Sequence, residues 1–215
     1  MSLAARLWAA NADLVQAARD TVFVRTLADG TLSAEAFAAY LAQDAFFLLS
    51  FARAYALALA ASPDAATVLA FADLLAGVRD ELRLHAAHGG GGTPVEAAPL
   101  TLAYTDFLLA TAATAGLGAT CAALTPCLRL YAHLGQELQT GEPDGPYAAW
   151  VATYADPAFA ALATRLEALL DAHGEDTPAV RSAYRRAMGL EVAFFSAAAG
   201  GALDVPRPSA APVVA

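Results

Sequence analysis

Residues 40–51 read YLAQDAFFLLSF. Tyr40, Asp44, Phe47 and Phe51 recur at spacings of four, three and four, the period of one helix face, so the stretch is a helix whose aromatic stripe faces a core. Asp44 is the exception in that stripe, a carboxylate where the period calls for an apolar side chain. Burying an ionised carboxylate without a partner costs several kcal/mol, so Asp44 must be paired, protonated or functional.

Outward from this segment the apolar pattern keeps helical spacing, and no alternating strand pattern appears. Ser33 reads as the cap of a helix reaching about Ala61, and a preceding helix should run from Ser2 to Leu27, closed by Asp29-Gly30. Ser62-Pro63-Asp64 restarts a third helix that runs to His88, followed by a loop, Gly89–Pro94. A fourth helix spans Ala97 to Ala115, and Gly116 to Gly118 separates it from a fifth ending near Thr140. After a second loop, Gly141–Pro146, come a short helix from Tyr147 to Tyr154 and another from Pro157 to His173. Thr177 caps the last, with Pro178 at its first position, where a missing N–H is harmless. The reading is an all-α, single-domain bundle over residues 1–200, with 201–215 an extended tail.

Composition narrows the function. The chain has 215 residues, 58% hydrophobic and 15% charged, enough for one continuous core and too apolar for disorder. A net charge of −9 with no basic run argues against nucleic acid and anionic membranes as partners. Residues 107–128 carry no charge, but Gly116, Gly118 and Pro126 interrupt them, so no membrane span is expected. The N-terminus lacks a signal pattern, and two cysteines six apart make no disulfide framework; the expected location is cytoplasmic.

Two further places break the apolar pattern. In the last helix Tyr184, Met188, Glu191 and Phe195 form a stripe with Glu191 inside it. Ion pairs with arginines such as Arg25 or Arg53 would explain Asp44 and Glu191; a shared site would explain both at once. In TPCLRLY, residues 125–131, Pro126 interrupts helical hydrogen bonding, and Cys127 shares a face with Tyr131 four residues on. Cys127 reads either as inert packing or as a nucleophile; Cys121, off that face, reads as core. Glu81, His85 and His88 have metal-ligand spacing, which a solvated helix end explains equally well.

The residues Gln43-Asp44-Ala45-Phe46-Phe47, Tyr104, Pro126–Tyr131, Trp150–Tyr154 and Glu191 resemble, in order and spacing, the TenA family. The resemblance implies a haem-oxygenase-like all-α fold without haem or other cofactor, and thiaminase II-type aminopyrimidine aminohydrolase activity in thiamine pyrimidine salvage. It implies Cys127 as nucleophile, Glu191 as acid–base carboxylate, and Asp44 as acceptor from the ring amino group. Tyr104, Tyr131 and Tyr154 would line the pocket, as would Phe47, which stands where the family usually has tyrosine. Leu190, Phe194-Phe195-Ser196 and Arg129 also depart from the family pattern. A homo-oligomer, tetramer or dimer, is the expected assembly. The alternatives are a metal-dependent oxygenase of the same fold using Glu81, His85 and His88, and a non-catalytic ligand-binding or regulatory protein.

Overall fold

The computed structural model describes residues 1–86 (without the side chains of 84 and 85), 96–139 and 145–200. Within them the chain is helical throughout, in order α1 (Leu3–Ala10), α2 (Ala12–Arg19), α3 (Val22–Ala28), α4 (Ala34–Ala60), α5 (Ala65–His85), α6 (Pro99–Thr114), α7 (Leu117–Leu138), α8 (Ala148–Ala155), α9 (Pro157–His173) and α10 (Pro178–Ala199). Most boundaries follow local chemistry. Ser33, Asp64, Asp156 and Thr177 each accept from a backbone N–H of the first turn of their helix, satisfying donors that have no intrahelical partner. Residues 107–128 divide between α6 and α7, and among the described residues no helix is long and apolar enough to cross a membrane.

One expectation fails at the N-terminus. The single helix from Ser2 to Leu27 is three short ones, α1 to α3. Asn11 donates from Nδ2 to the Leu7 carbonyl at 2.8 Å, and its backbone turns to φ −115°, ψ 22°. Thr21 donates to Ala18 O at 2.8 Å and caps α3 through Val24 N. Both side chains compete with the helix for backbone groups, as Asn and Thr do when a turn is available. The loop and tail expected at 89–94, 141–144 and 201–215 lie outside the described residues.

The core is one continuous cluster. α4 lies against α5 and α6, while α7 packs along α9 and α10 and carries α8 across its far end. Two devices set these positions. Gln43 on α4 accepts from Ala98 N at 3.0 Å and Thr101 Oγ1 at 2.7 Å and donates to Glu96 O at 3.1 Å, so one buried amide pins the start of α6. Gly135 on α7 allows the α8 backbone to touch it: a Cβ there would stand 2.6 Å from Ala155 N and collide with the Tyr154 carbonyl carbon. Pro126 is accommodated within α7, which continues to Leu138.

This close approach makes a prediction with a sign. Gly135→Ala forces α8 away from α7 and should destabilise by about 1–3 kcal/mol, the usual range for overpacking. Gly189→Ala, inside α10 with nothing within 4 Å of the added Cβ, should raise stability by about 0.5–1 kcal/mol. Thermal unfolding of both variants beside the parent checks the pair; equal shifts would mean the α7–α8 contact is not tight.

Candidate functional site

The long helices deliver their polar exceptions to one place in the core. α4 supplies Tyr40, Asp44 and Tyr55, α5 supplies Glu81, α6 Tyr104, α7 Cys127 and Tyr131, α8 Trp150 and Tyr154, and α10 Glu191. Asp44, Tyr55, Glu81, Cys127 and Tyr131 line an inner cavity of about 20 Å³, walled otherwise by apolar residues such as Leu48, Phe51 and Phe159. That volume suits a single water.

Two hydrogen-bonded pairs stand against it. Tyr104 donates to Glu191 Oε1 at 2.6 Å, and the Glu191 carboxyl stands close enough to the Cys127 thiol for each to shift the other's titration. Tyr154 donates to Glu81 Oε1 at 2.6 Å. A third contact, Tyr40 Oη to Tyr131 Oη at 3.1 Å, is joined by the Trp150 indole N–H at 3.4 Å. The rings lock one another: Tyr131 packs on Tyr154 at 4.8 Å and on Phe195 at 5.2 Å between centroids. Such aromatic pairs add about 0.5–1.5 kcal/mol each beyond area burial and fix the hydroxyls they carry.

The electrostatics follow from burial. Glu191 is pushed up to about 7 by desolvation, despite the opposing hydrogen bonds from Tyr104 and Cys127. Glu81 is likewise pushed up to about 7 by desolvation, with the Tyr154 bond opposing. Asp44 is raised well above the ordinary carboxylate range by burial and by the nearby Glu81 and Glu191. Burial and the same carboxyl groups raise Cys127, so the resting sulfur is a thiol. A thiol beside a carboxyl that titrates near neutrality can lose its proton to that carboxyl, which is what nucleophilic activation requires.

The sequence-predicted residues therefore converge. Asp44, Cys127 and Tyr131 form the cavity wall, and Glu191, Tyr104 and Tyr154 stand against them one layer back. Phe47 is buried behind that wall, stacked on Phe51 at 5.3 Å and tilted against Tyr104 at 4.8 Å between centroids. Cys127 is coupled electrostatically to Glu191 as well as sharing a cavity with Tyr131, its neighbour one turn on. Glu191 accepts from Tyr104, and among the described residues no arginine pairs with it or figures in its titration. Cys121 is fully buried in the core. Arg129 lies elsewhere, bonded to Glu167 at 3.1 Å and stacked on Trp8.

Glu81 belongs to this site, whereas its spacing suggested a metal set with His85 and His88. The side chain of His85 and the whole of His88 lie outside the described residues, and among the described residues no three His, Cys, Asp or Glu side chains could hold a metal. The signal for Glu81 was present: Phe71, Leu74 and Val78 form an apolar stripe on α5, and Glu81 extends it by three residues. Tyr55 carried no such sign, being one aromatic among many.

Comparison with known proteins follows the same lines. Residues 22–200 match the model of the TENA/THI-4/PQQC family. The chain is 36% identical over 207 residues to the bifunctional TH2 protein, mitochondrial, of Arabidopsis thaliana; the match covers 81% of this chain and 34% of that protein. The chain thus spans about a third of that relative's length. It is 34% identical over 182 residues to the aminopyrimidine aminohydrolase of Halalkalibacterium halodurans, covering 80% of this chain and 81% of the relative. Among solved structures, a TenA family transcription regulator from Silicibacter sp. TM1040 superposes with a TM-score of 0.83 at 28% identity, covering 93% of this chain and 95% of that one.

A protonated buried carboxyl has a consequence for stability. Glu191 titrates at about 7 in the folded chain against 4.5 as its ordinary value, so the folded state holds the extra proton between those limits. Its contribution is fully present below about pH 4.5 and is lost as pH rises through 7. Denaturant unfolding at pH 5, 6, 7 and 8 should show the parent losing stability relative to Glu191→Gln, by up to about 1.4 kcal/mol per pH unit. A difference independent of pH would contradict the assignment.

Proposed function

Because this chain belongs to the TENA/THI-4/PQQC family, we propose that it is a hydrolase that replaces the amine of an aminomethyl-pyrimidine by hydroxyl, with Cys127 as the nucleophile. The observation that carries the reading is the chain Tyr104–Glu191–Cys127, a thiol held against a carboxyl of near-neutral pKa at the edge of a buried cavity. The relative named aminopyrimidine aminohydrolase, which this chain matches over most of both lengths, supports the substrate class.

The residues suit that chemistry. An aromatic pyrimidine accepts a nucleophile once a ring nitrogen is protonated. Glu191 takes the thiol proton and delivers it to the ring nitrogen as the sulfur–carbon bond forms. The electrons gained by the ring then expel the amine from the exocyclic carbon, water adds there, and the thiolate departs and recovers its proton. Asp44, reaching the cavity from α4, accepts from the ring amino group. Tyr131 and Tyr154 hold the walls, and Tyr104 keeps Glu191 turned toward the sulfur. A pyrimidine ring exceeds the inner cavity, so binding displaces Phe159 and Leu162, which separate it from an outer cleft.

The test is turnover of 4-amino-5-aminomethyl-2-methylpyrimidine by the parent chain and by Cys127→Ser. An alcohol titrates far above a thiol and does not add to the ring as a thiolate does, so the variant should lose activity by at least about a thousandfold while keeping its fold. Cys121→Ala should retain the parent's turnover within about twofold once corrected for any loss of folded protein, since its sulfur lies in the core away from the cavity wall. More than a tenth of parental activity in Cys127→Ser would rule out covalent catalysis.

A further inference from the structure

Glu81 is a carboxyl that lines two spaces. It borders the inner cavity together with Asp44 and Cys127, and it also borders an outer cleft of about 480 Å³ with Thr153 and Asp156. The wall common to both spaces consists of Gly77, Glu81, Phe159 and Leu162. Gly77 keeps that wall thin, since a Cβ there would stand 2.7 Å from Leu162 Cδ1. Glu81 therefore stands at the neck between the buried reaction space and the cleft, and its side chain is held there by the Tyr154 hydroxyl at 2.6 Å.

We propose that Glu81 is the acid–base catalyst for the leaving amine and for the water that replaces it. The inference rests on the hydrolase reading above and divides its proton transfers between two carboxyls. Glu191 is committed to Tyr104 and to the cysteine sulfur, on the side where the ring nitrogen must be served. Asp44 lines the inner cavity and not the outer cleft. The amine, expelled from an exocyclic carbon toward the cleft, meets Glu81 on its way.

With the sulfur–carbon bond formed and the ring nitrogen protonated, the exocyclic carbon–nitrogen bond breaks and its electron pair stays on nitrogen. The proton shared between Glu81 and that nitrogen leaves with it, so the product is the neutral amine and Glu81 is a carboxylate. Water then adds its oxygen to the exocyclic methylene and gives a proton to Glu81, which restores the acid. The sulfur–carbon bond breaks, and the ring-nitrogen proton returns through Glu191 to the thiolate. The sum is amine plus water giving alcohol plus free amine, with no oxidant or other reactant.

The groups facing Glu81 keep it able to do this. Asp44 from α4, Cys127 from α7 and Tyr154 from α8 surround it, and its affinity for a proton is raised by burial to near neutrality. The acids of the outer cleft play a lesser part: Asp73 is paired with Arg165, Asp80 with Arg79 and Arg83, and Asp156 caps α9.

The experiment uses the full chain and the aminomethyl-pyrimidine above. Glu81→Gln preserves the size of the side chain and an oxygen for Tyr154 but has no acidic proton; its kcat should fall by about a hundredfold or more, with KM changed by less than about fivefold. Glu81→Ala should fall comparably, and formate, admitted through the outer cleft, should recover at least about tenfold of the lost kcat in a saturable manner. A purely structural role for Glu81 gives no formate rescue. Retention of kcat within about threefold in Glu81→Gln, or no effect of formate on a folded Glu81→Ala, overturns the proposal. If thermal unfolding finds Glu81→Ala unfolded, Glu81→Gln alone decides. Absence of turnover by the parent chain would instead overturn the hydrolase reading, so the two failures are distinguishable.

Discussion

Asp44, Glu81 and Glu191 come from three helices into one aromatic core, together with the Cys127 sulfur. Carboxylates so placed repel one another through a medium that screens charge poorly, so ionising all of them at neutral pH is strongly disfavoured. Protons are therefore retained inside the protein, and hydroxyls decide where. Tyr104 and Tyr154 each donate to one glutamate and hold it near neutrality, where it can both give and take a proton. Buried carboxyls cost folding free energy that an apolar core would not, and their convergence on a thiol is the reason to read them as chemistry.

The scaffold serves that cluster by fixing distances between helices far apart in the chain. Gln43 ties α6 to α4, which sets Tyr104 one turn beyond Thr101 and so aims it at Glu191. Gly135 lets α8 lie on α7, which brings Tyr154 against Tyr131 and within reach of Glu81. The two tyrosine–glutamate pairs thus depend on one amide and one missing side chain. Loosening either contact should disturb proton placement before it unfolds the bundle, because each hydroxyl must meet its carboxyl at hydrogen-bond distance.

Much of this was legible in the chain itself, because helical periodicity makes a buried polar residue visible as an interruption. Asp44 and Glu191 each break an aromatic stripe, and the fold buries both in the cluster around Cys127. Glu81 breaks a stripe in the same way, but the histidines that follow it suggested a ligand spacing, and local spacing outweighed the longer pattern. The partners of these groups were less readable. Cys127 shares a helix face with Tyr131, yet the carboxyl that most raises its affinity for a proton is Glu191, sixty-four positions on, since that neighbour depends on how α7 and α10 cross rather than on sequence. The division of the N-terminal helix at Asn11 and Thr21 escaped for a related reason: both residues are tolerated within helices, and only their side-chain bonds to backbone carbonyls break the run.

The central claim is that a buried carboxyl beside the thiol keeps its proton near neutrality, and difference infrared spectroscopy reads that state without substrate. The parent chain in heavy water should display the carbonyl stretch of a protonated carboxylic acid at pH 6, fading as the pH passes through about 7, with one component missing in Glu191→Gln. A spectrum at pH 6 that holds only carboxylate bands, identical in parent and variant apart from the lost side chain, would contradict the account.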